Sequence, residues 1–84
     1  MRVEMELRNM PRFRIIQYLE EAGGTSTADL VVSADGWSAW LEEMEPAYVG
    51  RIQVPRDLLV IEGEDDSVES IQAFMRAKTM RGGG

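Results

Sequence analysis

From Arg2 to Arg8 the chain alternates apolar and charged side chains without a break, and from Pro11 onward the apolar period becomes that of a helix. A period of two sets one strand face on a core and the other in water, whereas a period near 3.6 gathers apolar side chains on one side of a helix. Val3, Met5 and Leu7 read as the inward face of a first strand, with Arg2, Glu4, Glu6 and Arg8 outward. Asn9 suits a turn, and Pro11 suits a helix start because the first helical turn has no use for the N–H that proline lacks. Within Arg12 to Ala22, residues Ile15, Tyr18, Leu19 and Ala22 share a face flanked by Ile16, with Arg14, Gln17 and Glu21 opposite. Only one strand therefore precedes the first helix, which is too few for a β-β-α-β-β order.

Gly23-Gly24 ends that helix, and the chain turns β-rich. Leu30, Val32 and Ala34 alternate with Asp29, Val31 and Ser33, and Asp35-Gly36 is a hairpin signal. Trp37 to Met44 reads as the returning strand, with Trp37, Ala39 and Leu41 on one face and Ser38, Trp40 and Met44 on the other. Both faces carry an indole, so the pattern leaves the buried one open. Glu45-Pro46 reads as a break, Ala47 to Val54 as a further strand with a bulge at Gly50, and Pro55-Arg56-Asp57 as the next turn. Leu58 to Ile61 is apolar on both faces, as expected of an interior strand. Asp66 with Glu69 resembles a capping box, followed by a stripe of Val68, Ile71 and Met75 with Phe74 beside it and Arg76, Lys78 and Arg81 near the negative end of the helix dipole. The expected architecture is α+β, β-α-β-β-β-β-α, an antiparallel sheet packed by two helices on one face. Residues 1–80 form a single domain, and 81–84 a flexible Gly-rich tail.

Composition narrows the function. A chain of 84 residues has room for one core. With 15 acidic and 9 basic residues, the net charge of −6 opposes a nucleic-acid partner, whose affinity comes mainly from lysine and arginine displacing counterions. No Cys and no His are present, so thiolate nucleophiles, imidazole proton shuttles and ordinary zinc sites have no atoms to work with. The acidic runs Glu42-Glu43-Met44-Glu45 and Glu62-Gly63-Glu64-Asp65-Asp66 lack the rhythm of a calcium loop and read as solvated faces and helix capping. No catalytic residue, metal site or cofactor is expected, and the chain reads as non-enzymatic. No stretch approaches the roughly 20 apolar residues that span a bilayer, and the N-terminus has no signal-peptide core, so no membrane contact and a cytoplasmic setting are expected. Candidate interaction residues are Trp37, Trp40 and Phe13. The two indoles read as core and sheet cover or as a ligand platform, and Phe13, which falls off the helical stripe, as cover for a sheet edge or an exposed anchor. The oligomeric state is not set by the sequence.

The ending Arg81-Gly82-Gly83-Gly84 is the remaining motif. A carboxylate on Gly-Gly can enter a narrow active-site channel because no side chain widens the backbone, which is why carriers with activated C-termini end this way. The bland alternative is a frayed terminus.

Several segments together resemble the C-terminal domain of bacterial MoaD-related proteins: Tyr18-Leu19-Glu20-Glu21-Ala22-Gly23-Gly24-Thr25, Glu45-Pro46-Ala47-Tyr48-Val49-Gly50, Gln53-Val54-Pro55, Glu62-Gly63-Glu64 and Arg81-Gly82-Gly83-Gly84. The resemblance covers most of the region from Pro11 onward. It implies a fold like the TATA-binding-protein repeat, β-α-β4-α, the order read independently from periodicity. In that family the domain follows a ubiquitin-like MoaD domain, the sulfur carrier of molybdopterin synthesis. The resemblance thus implies an accessory or carrier role in molybdopterin or sulfur-transfer metabolism, with Gly82, Gly83 and Gly84 as a carrier tail and a cofactor-synthesis or activating enzyme as protein partner. The alternative is a protein-interaction or small-ligand-binding module whose tail is incidental.

Overall fold

The structure, a computed structural model, describes the backbone of residues 1–82 and the side chains of residues 1–79. Strand β1 (Arg2–Arg8) leads into helix α1 (Arg12–Glu21). Strands β2 (Thr25–Ala28), β3 (Val31–Ala34), β4 (Trp37–Val49) and β5 (Ile52–Gly63) follow, and helix α2 (Asp65–Gly82) comes last. The sheet is antiparallel, in the order β1-β5-β4-β3-β2, so β2 to β5 form a meander and β1 pairs with its last strand. The α+β class and the order of elements are those expected, but the strands after α1 are divided differently: β2 is unannounced, and the three expected strands Trp37 to Met44, Ala47 to Val54 and Leu58 to Ile61 are the two strands β4 and β5.

Both helices lie on one face, α1 over β2 and β3, α2 over β1 and β5. Ile15 and Leu19 of α1 and Val68, Ile71 and Met75 of α2 meet Leu7, Val32, Leu59 and Ile61 from the sheet in one core. Trp37, Ala39 and Leu41 of β4 join that core, which resolves the choice of face: Trp37 is inside, and Trp40 points to the side without helices. Burying an apolar side chain of this size contributes about 1.5–3 kcal/mol, and the residues that do so fall at the expected periods.

Several boundaries differ from expectation, each for a physical reason. Thr25–Ala28 forms the edge strand β2, yet all four side chains are exposed, so no apolar alternation announces it. The residues read as a break at Glu45-Pro46 lie within β4, and those read as a turn at Pro55-Arg56-Asp57 lie within β5. The register passes from Met44 opposite Arg56 to Ala47 opposite Val54, so Glu45 and Pro46 together face Pro55 across a β-bulge. Two prolines meet where the ladder is already interrupted, and their missing N–H groups leave no hydrogen bond unmade. The reversal occurs instead at Gly50-Arg51, between the paired residues Val49 and Ile52, where Gly50 has φ 63°. Helix α2 begins at Asp65, which puts Asp66 in the first turn rather than at the cap. Its start is fixed by a close crossing: Glu64 donates its N–H to the Gly36 carbonyl at 2.8 Å, and a Cβ on Gly63 would overlap that same oxygen.

Candidate functional site

The β4–β5 hairpin outruns its neighbours. Strand β1 stops pairing at Arg8 opposite Arg56, and β3 reaches only Val31 opposite Trp40. Beyond the bulge, Ala47–Val49 and Ile52–Val54 continue as a two-stranded arm. Tyr48, Val49 and Ile52 on this arm are among the few large apolar side chains that are exposed.

Two arginines hold the root of the arm, one on each face. On the helix side, Glu43 and Asp57 are cross-strand partners, a like-charged pair that would repel. Arg12, the first residue of α1, reaches between them, with Nε 3.0 Å from Asp57 Oδ1 and Nη2 3.1 Å from Glu43 Oε2. Asp57 is buried, and its hydrogen bond, followed by that of Glu43, holds the Arg12 guanidinium charged more firmly than usual. On the other face Arg56 donates to Glu6 Oε1 at 2.6 Å and to the Glu45 carbonyl at 2.7 Å, beside the bulge. The Arg56 hydrogen bond, aided by Arg8, pushes the Glu6 carboxyl below its ordinary range. The arm is thus anchored at its base and bare at its tip.

A groove of about 570 Å³ runs between α1 and β2, floored by Phe13, Ile16, Ala28 and Leu30 and rimmed by Gln17, Glu20, Ser26 and Asp29. Leu30 has φ 59°, a left-handed conformation uncommon for a leucine, which the fold imposes at the β2–β3 turn.

Of the residues singled out from sequence, Trp37 is buried in the core, with only 7% of its surface exposed. Trp40 is half-buried on the helix-free face, where its Nε1 donates to Glu42 at 2.8 Å and the Arg2 guanidinium lies 5.7 Å from its ring centre. Phe13 is exposed in the groove, so the three residues do not converge on one site. The arm and its two arginine clamps are hidden from sequence reasoning, because Pro46 and Pro55 read locally as punctuation; the apolar trio Tyr48, Val49 and Ile52 flanking a glycine is the available signal.

The expected tail at 81–84 starts later than its composition implies, since Arg81 and Gly82 are the last residues of α2; Gly83 and Gly84 lie outside the described residues. Among the described side chains of α2 the last core member is Met75, so the helix continues past the core toward the terminus. There Lys78 lies 3.9 Å from Glu21 and over the rings of Tyr18 and Phe74, tying that end to α1. Among the described residues no three His, Cys, Asp or Glu side chains gather as a metal site, and no helix is long and apolar enough to cross a membrane.

A family model described as archaeal MoaD-like protein matches residues 3–84. No curated protein matches the chain.

Proposed function

Because this chain belongs to the archaeal MoaD-like protein family, we propose that it is a carrier or accessory protein of sulfur transfer, itself not an enzyme, that works through the Gly-Gly at residues 83–84. The observation that carries this reading is the extent of the family match, which runs through Gly84 and so includes the glycines along with the folded body. The family makes the chain a MoaD-like, sulfur-carrier-like small protein; the use of its terminus and its place in molybdopterin metabolism are the proposal.

In this reading the Gly84 carboxylate attacks the α-phosphate of ATP on an activating enzyme, forming an acyl adenylate and releasing pyrophosphate. Hydrosulfide from a sulfur donor then attacks the carbonyl carbon, AMP leaves, and the terminus becomes a thiocarboxylate. The body contributes presentation rather than chemistry. Helix α2 carries the terminus past the core, and the absence of side chains on Gly83 and Gly84 suits a narrow channel. The acidic surface favours a basic protein partner, in keeping with a cofactor-synthesis or activating enzyme.

Intact-mass measurement of the protein purified from its native host tests this. A fraction heavier by one sulfur-for-oxygen exchange, absent after deletion of Gly83 and Gly84, is expected; an unmodified terminus under sulfur-demanding growth contradicts it. A second reading, an interaction module with an incidental tail, is favoured by the exposed arm, and it requires partner capture to survive the same deletion.

A further inference from the structure

We propose that two copies of this chain associate, the β4–β5 arm of one docking in the α1–β2 groove of the other. Four of the five large apolar side chains exposed among the described residues sit on these two features: Phe13 at 60% in the groove, and Tyr48 at 68%, Val49 at 65% and Ile52 at 67% on the arm. Val49 and Ile52 pair on one face of the arm and Tyr48 lies on the other, so the ribbon is apolar on both sides. A two-stranded ribbon covered on neither side is marginal in water, and burial against a partner removes that liability.

Charge selects the partner surface. An acidic chain of net charge −6 repels its own copies over most of its surface. Arg51 sits exposed at the arm's turn and forms no ion pair among the described residues. Among the described residues the groove carries Glu20 and Asp29 and no basic side chain, so an apolar tip with one cation meets an apolar floor with an acidic rim.

Edge chemistry points the same way. Beyond Trp40 the open edge of β4 carries Glu42, Glu43, Glu45 and Pro46, residues that discourage an added strand. The outer edge of β2, Thr25–Ala28, has neither charge nor proline and borders the groove, so it can accept hydrogen bonds from an incoming ribbon.

The test is sedimentation velocity of the full chain across a concentration series. Wild type should move from monomer toward twice the monomer mass. Arg51→Glu and Glu20→Lys should each weaken association by about tenfold or more, with melting curves confirming that each remains folded. A mixture of the two variants should recover association, because the acidic arm tip of the first then meets the basic groove rim of the second. A wild type that stays monomeric overturns the proposal, as does association that neither substitution weakens or that the mixture fails to restore. Because the terminal glycines play no part, this outcome is independent of the carrier reading.

Discussion

Strands β4 and β5 are paired from Trp37 opposite Gly63 to Val49 opposite Ile52, yet the two halves of this hairpin live in different surroundings. In the proximal half, Ala39, Leu59 and Ile61 are fully buried in the core shared with the helices, with β1 and β3 on either side. In the distal half the same backbone ladder has no neighbouring strand among the described residues, and Tyr48, Val49 and Ile52 face water. What separates them is the bulge at Glu45-Pro46 with its clamps, Arg12 on one face and Arg56 on the other. Hydrogen bonding along a hairpin is thus a poor guide to its stability; the neighbours that exclude water decide it.

The sharpest contrast comes from matched truncations. Leu59→Ala should cost about 2–5 kcal/mol, because the deleted methyl groups leave a cavity that the packed core cannot fill. Ile52→Ala should change stability by no more than about 0.5 kcal/mol. Chemical denaturation of the two variants at low protein concentration checks both, and equal losses would erase the distinction between the halves. An intermediate effect is expected from Asp57→Ala, which removes the buried acceptor of Arg12 and leaves α1 held to the arm's root by the exposed Glu43 alone. A fall of a few degrees in melting temperature should result, and unchanged melting would show that the clamp holds nothing.

The proximal half is largely legible from the sequence. Leu58 to Ile61, apolar on both faces, marks an interior strand, and Val3, Met5 and Leu7 mark the strand beside it. Only the choice between Trp37 and Trp40 needs the structure, since alternation places the two indoles on opposite faces without saying which is covered by helices. The distal half is legible only in part. Pro46 and Pro55 are strand breakers by local rule, and their tolerance depends on facing one another across a bulge, a relation between residues nine apart that no local pattern carries. Strand β2 is hidden for the opposite reason, having no buried side chain to give it a period. The archaeal MoaD-like membership supports the relationship read from short motifs, of which Arg81-Gly82-Gly83-Gly84 is the most suggestive chemically.

The most direct measurement of the division is residue-resolved amide hydrogen exchange at low micromolar concentration, where the chain is expected to be monomeric. Leu41, Leu59 and Ile61 should exchange only through global unfolding, while Val49, Ile52 and Gln53 exchange at least about a hundredfold faster. Raising the concentration should then slow exchange in the arm and at β2 while leaving the core amides unchanged. Uniform protection along the whole hairpin in the monomer would contradict the account, because it would make the arm an ordinary part of the folded body.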